Sequence, residues 1–292
     1  MSEHDEERGR WVARLGEDFA VRLLTSLVVG AVAAIFTFSG PTPFAMLAVG
    51  VAVLVSWEWG RLVHGSDAGI LVAVQIGTVA VSGLLAASLS AGLGLLALPI
   101  GAILATLLSL GRNSFLSAAG VFYAGFPAVA AIWLRSDVGL DPDGNAALGL
   151  QAMVFLILVV VTADTAAFLC GRLIGGPLLS PRISPNKTWA GFIGALIASA
   201  VVGGLFWLAV PGGSVFRLAA AGAALAMIAQ AGDLAESALK RRFGAKDAGS
   251  ILPGHGGVMD RVDGLLAAVA AAGLAAAAIN MHAPARALLL GS

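Results

Sequence analysis

The sequence predicts an all-α, polytopic membrane protein of about nine transmembrane helices, with the N-terminus inside and the C-terminus outside. Three observations carry this. Of the 292 residues, 59% are hydrophobic and 12% charged, where a soluble domain carries about 25% charged residues; mean hydropathy is +0.93. Asp, Glu, Lys and Arg are missing from 23–57, 68–111, 113–134, 144–163, 188–216 and 264–285, runs that each allow one or two crossings of roughly 20 residues. Finally, 14 of the 17 Lys and Arg fall in the connections that nine spans place inside, leaving Arg135, Arg217 and Arg286 outside, as the cytoplasmic excess of positive charge requires.

The elements follow from breaking the runs at Gly, Pro and polar residues. Residues 1–22 are polar and of mixed charge. They form either a surface helix with Trp11 and Leu15 on one face or a solvated tail, and with further spans downstream they read as an anchor's flank rather than a cleaved signal. The spans fall near Leu23–Phe38, Phe44–Trp57, Gly69–Ser88, Ala91–Leu110, Phe115–Leu134, Ala147–Ala163, Ala190–Val210, Val215–Gly232 and Val262–Met281. Only Leu89-Ser90 divides the third from the fourth. The loop after the fifth is acidic, with Asp137, Asp141 and Asp143. The 38 glycines and many alanines suit close helix packing in lipid. The organisation is thus a cytoplasmic tail (1–22), N-terminal helices (23–145) and C-terminal helices carrying charged cytoplasmic loops (146–292). A net charge of zero leaves no nucleic-acid footprint, and the single cysteine, Cys170, excludes an internal disulfide.

Beyond the tail, charge gathers in two stretches, 164–187 and 233–263. Asp233 follows Gly232 at the end of an apolar span, on one helical face with Ser237 and Lys240 or Arg241; an ionisable group at the membrane edge points to function. Glu236 is four residues from Lys240, a spacing that also suits an ordinary helix-surface pair. In "LPGHGGVMD", glycines flank His255 and remove the side chains that would keep phosphate oxygens from backbone N–H groups. Asp260 and Asp263, three apart, share a face. With Asp233 they offer an oxygen-ligand set for Mg²⁺, while Lys240, Arg241, Lys246 and Arg261 suit phosphate charge. Lys187 precedes a span for which Thr188 is a candidate N-cap, a ready phosphate site. Acids, bases and a glycine loop together point to nucleotide phosphoryl or nucleotidyl transfer.

The pattern Ser237-x-x-Lys240-Arg241-x4-Lys246-Asp247-x-Gly249-x-x-Leu252-Pro253-x-His255-Gly256-Gly257-Val258-x-Asp260-Arg261-Val262-Asp263 resembles the signature of the phosphatidate cytidylyltransferase (CDP-diacylglycerol synthase) family. "SPNKTWAG" at 184–191 resembles its second motif, usually Ser-Pro-Lys-Lys-Thr-x-Glu-Gly. Asn186 and Ala190 depart from that pattern, and Glu236 is the candidate to supply the missing acid. "DTAAFLCGR" at 164–172 is also similar to a family stretch. The resemblance covers about residues 160–265. It implies a polytopic enzyme of the bacterial inner membrane that transfers CMP from CTP to phosphatidate, using Mg²⁺ and facing the cytoplasm; a homodimer is an admitted assembly. It implies Asp233, Asp260 and Asp263 as metal ligands, with Asp247 behind them, and Lys187 beside them in catalysis. Ser184, Lys187, Thr188, Ser237, Lys240, Arg241, Lys246, His255, Gly256, Gly257 and Arg261 would bind substrate. A polyprenol kinase would share these residue types. A transporter would put charge in several spans, which the charge-free runs disfavour.

Overall fold

The structure, a computed structural model, describes residues 24–65, 69–137, 139, 147–254 and 256–292. The expected N-terminal tail, Asp141, Asp143 and His255 lie outside them. Each apolar run becomes helix: α1 (Leu24–Phe38), α2 (Pro41–His64), α3 (Gly69–Ser88), α4 (Ala91–Leu108), α5 (Ser114–Arg135), α6 (Leu148–Leu173), α7 (Trp189–Leu205), α8 (Val215–Arg242) and α9 (Met259–Ile279), followed by a short α10 (Pro284–Leu290). Among the described residues, eight of these are long and apolar enough to cross a membrane, α2 to α9, with α7 extended by a 3-10 turn at Phe206–Ala209. The described part of α1 is apolar but reaches only about 22 Å, short of a hydrocarbon core of about 30 Å.

Local chemistry sets the boundaries. Ser90 Oγ accepts the Leu93 N–H at 3.3 Å and starts α4, so one capping serine separates α3 from α4. Thr188 Oγ1 accepts the Gly191 N–H at 3.1 Å and caps α7, as its position suggests. Two helices outrun the expected spans: α6 continues past Ala163 to Leu173, and α8 past Gly232 to Arg242. The turn of sequence from apolar to polar ends a hydrophobic run but not a hydrogen-bond ladder. α6 stops where Gly175 and Gly176 take positive φ, and α8 where Gly244 does.

The all-α expectation holds for the bulk of the chain, with one addition. Leu178–Ser180 (β1) and Ser184–Thr188 (β2) form an antiparallel hairpin that pairs Leu178 with Thr188. It delivers Lys187 to the start of α7.

Polar contacts sort the helix ends into two sets. At one, Arg135 Nη2 donates to the Thr37 carbonyl at 3.0 Å, Arg217 Nη2 to the Leu289 carbonyl at 2.6 Å, and Asp137 accepts the Ala285 N–H at 3.0 Å. At the other, Asn113 Nδ2 donates to the Val63 carbonyl at 3.2 Å and Thr25 Oγ1 to the Pro253 carbonyl at 3.3 Å. This is the alternation that successive crossings demand. The buried core centres on α5 and α9, which contribute to both the cluster with α6, α8 and α10 and the one with α2. α7 and α8 meet backbone to backbone: a Cβ on Gly203 would collide with the Leu218 carbonyl, and one on Gly222 with that of Ser199.

Candidate active site

The two charged stretches converge. The polar extensions of α6 and α8, the first turns of α7 and α9 and the β hairpin enclose a cavity of about 620 Å³, whose lining includes Asp164, Lys187, Asp233, Lys240, Arg261 and Asp263. Its size suits a nucleotide-scale ligand. Ser184, Asn186, Thr188, Gln230 and Asp260 complete its polar wall.

Three carboxylates meet here. Asp233 and Glu236 on α8 and Asp263 on α9 each present an oxygen, all within 4.8 Å of one another. Glu236 is 2% exposed, and its Oε1 has no hydrogen-bond partner. A buried carboxylate oxygen without a donor, facing two further acids, fits a cation. The positions follow from helix geometry: Asp233 and Glu236 are three positions apart, on one face, and Gly232 lies against α9, where a Cβ would stand 3.2 Å from the Asp263 carbonyl.

Cations hold these acids in place. Lys187 Nζ lies 2.6 Å from Asp233 Oδ2. Lys240 Nζ lies 2.6 Å from both Glu236 Oε2 and Asp260 Oδ1. Asp260 also accepts the Ala248 N–H at 3.0 Å and the Gly257 N–H at 2.9 Å, so its carboxylate organises the loop and sits outside the three-acid cluster. Ser237 Oγ donates to Asp233 Oδ1 at 3.3 Å, and Gln230 Nε2 to Asp164 Oδ1 at 3.2 Å.

Of the other residues expected here, Arg241 donates to the Ala245 carbonyl at 3.0 Å. Arg241, Lys246 and Asp247 are exposed at the rim and do not line the cavity. Gly256 takes φ +84°, and a Cβ there would lie 3.2 Å from Asp260 Oδ2; Gly257 donates to the same oxygen. Sequence reasoning missed two participants. Gln230 looks like part of an apolar helix. Glu58 on α2 borders an apolar run, yet it is fully buried and accepts the Val258 and Met259 N–H groups at 2.9 and 2.6 Å. The signal for it was available, since an ionisable side chain on a membrane helix marks a site.

Arg261 lines the polar cavity and also a second, almost wholly apolar cavity of about 370 Å³ between α1, α2, α5, α6 and α9, bounded by Val28, Phe44, Val51, Pro127 and Leu265. Polar and apolar compartments thus share one residue, Arg261.

Residues 20–278 match the cytidylyltransferase family. A phosphatidate cytidylyltransferase of Brucella suis is 40% identical over 256 residues, 85% of this chain and 90% of that one. One from Staphylococcus saprophyticus is 40% identical over 166 residues, 55% of this chain and 60% of its own.

Proposed function

The chain belongs to the cytidylyltransferase family, and from that premise we propose that it transfers CMP from CTP to phosphatidate, forming CDP-diacylglycerol and pyrophosphate in the membrane. The observation that carries this reading is the shared Arg261: a polar, nucleotide-sized cavity adjoins an apolar one that suits acyl chains. With the expected topology the site faces the cytoplasm of the bacterial inner membrane, where CTP is present.

In the reaction a phosphate oxygen of phosphatidate bonds to the α-phosphorus of CTP. The bond from that phosphorus to the bridging oxygen of the β-phosphate breaks, and pyrophosphate leaves with the electron pair. The nucleophile is already ionised, so no strong base is needed. The main obstacle is repulsion between two polyanions. Lys187, Lys240 and Arg261 all line the cavity and offset it. Asp233, Glu236 and Asp263 would hold Mg²⁺, with Asp260 and Asp247 as neighbouring acids. When bound there, the ion would neutralise phosphate charge and stabilise the leaving group. Asp260 keeps Lys240 and the loop amides in register, and Ser237 orients Asp233.

The test is pyrophosphate release by detergent-solubilised protein across the four ribonucleotides, with and without phosphatidate. Release from CTP only when phosphatidate is present, with CDP-diacylglycerol as lipid product, is expected. A nucleoside diphosphate and a phosphorylated polyprenol formed from a nucleotide and a polyprenol, or no pyrophosphate from CTP with phosphatidate, would overturn the reading.

A further inference from the structure

Glu58 lies outside both charged stretches and does not line the polar cavity. It sits on α2, fully buried, about 200 residues before the groups it binds. Burying a carboxylate within a membrane helix is costly unless its oxygens are satisfied. Here both are. Oε1 accepts the Val258 N–H at 2.9 Å and Oε2 the Met259 N–H at 2.6 Å. These donors open α9, where a helix leaves N–H groups without intrahelical acceptors. Val258, the N-cap of α9, offers no side-chain cap of its own. A carboxylate from another helix therefore does the work of a cap, with charge-assisted bonds.

The same carboxylate also shapes the loop before α9. A Cβ on Gly249 would stand 2.5 Å from Glu58 Oε1, and one on Gly257 2.7 Å from it. The loop can close over Glu58 only because both positions lack side chains. One residue beyond Met259 comes Asp260, and three residues further Asp263, one of the clustered acids. Rotation or fraying of this first turn would swing both carboxylates away from α8.

We infer that Glu58 is a positioning residue for the cytidylyltransferase site: it fixes the phase of the first turn of α9 and, through it, the aim of Asp260 and Asp263. The inference rests on the function proposed above for the reaction it serves, but its structural content can be tested separately.

The test compares the full-length wild-type protein with Glu58→Gln in detergent, with deuterium uptake read in the absence of metal. Glutamine keeps one acceptor oxygen and turns an NH₂ group toward the second amide. Deuterium uptake across 256–263 should quicken by roughly tenfold or more, with uptake across α7 unchanged. The Mn²⁺ concentration for half-saturation, read by electron paramagnetic resonance, should rise by a similar factor. The kcat should fall with the KM for phosphatidate little changed. Glu58→Asp, which keeps both oxygens on a shorter stem, should lie between the two. A Glu58→Gln protein that melts earlier but keeps wild-type uptake and Mn²⁺ binding would overturn the inference, because Glu58 would then only stabilise packing.

Should Glu58→Gln not fold, Gly249→Ala decides, since its methyl displaces the carboxylate from the loop side. The same local uptake and weakened Mn²⁺ binding are expected, and wild-type values refute the inference. A wild-type protein that binds no Mn²⁺ and makes no CDP-diacylglycerol fails the proposed function, while the uptake comparison still judges Glu58.

Discussion

Lys187 Nζ lies 2.6 Å from Asp233 Oδ2, so a base suited to phosphate is held by an acid suited to metal. Loading the site must loosen this pair, because both partners then gain other ligands. Lys187→Ala should therefore move two constants in opposite directions. The KM for CTP should rise roughly 10- to 100-fold, the value of a desolvated charge-assisted contact. The Mg²⁺ needed for half-maximal rate should fall, since a competing cation has gone. Initial rates over a CTP-by-Mg²⁺ grid measure both, and a parallel rise would show that the lysine assists the metal instead.

The acids of the two helices should separate by their response to metal. Asp263→Asn and Glu236→Gln each remove a charge from the three-carboxylate cluster, and amide oxygens are poorer Mg²⁺ ligands. Half-saturating Mg²⁺ should rise by roughly tenfold or more, equivalent to about 1.4 kcal/mol, with partial recovery of rate at high Mg²⁺. Asp260→Asn instead weakens the Lys240 pair and the loop amides. Its rate should fall without recovery. Mg²⁺ titrations of the three variants check this.

Lys240 is the only cation within bonding distance of both Glu236 and Asp260 among the described ion pairs, and its side chain is 11% exposed. Lys240→Met leaves the buried Glu236 without its cation and Asp260 with backbone amides alone, and should cost about 3–5 kcal/mol, seen as a lower melting temperature in detergent. Adding Glu236→Gln should restore part of it. A double-mutant cycle gives the coupling.

Much of this architecture was legible in the apolar runs, because a helix in lipid must be long and greasy and little else fits. Thr188 disclosed its cap by its position before an apolar run. The polar extension of α6 was not legible, because Asp164 ends a hydrophobic window without ending a helix, whereas that of α8 showed in the one-face spacing of Asp233, Ser237 and Lys240. The site divided similarly. Asp233, Asp263, Lys187, Lys240 and Arg261 could be picked out by type and spacing, and they do line one cavity. Glu58 could not be linked to the site from spacing, because its partners are backbone amides about 200 positions away, and amides carry no residue identity.

The alternation of helix ends, together with the excess of Lys and Arg on one side, predicts how the chain lies in the membrane. With Cys170 replaced, a cysteine at Ser250 should resist an impermeant thiol reagent in intact cells and react in inverted vesicles. A cysteine at Ser136, exposed at the opposite end, should do the reverse. Labelling of Ser250→Cys in intact cells would invert the topology.

The contact of Gly203 with the Leu218 carbonyl and of Gly222 with that of Ser199 has a mechanical meaning. Where Gly203 and Gly222 meet the facing backbone, no side chain stands between α7 and α8, so at that crossing neither rotamer nor lipid tail can act as a shim. Lys187 stands at the head of one helix and Asp233 on the other, so backbone contact gauges the distance between them. Gly203 lies roughly 21 Å along α7 from Trp189, the first residue of the helix that Lys187 precedes. The thickness of one methyl inserted there would act on a long lever, and the misalignment would appear at the charged end.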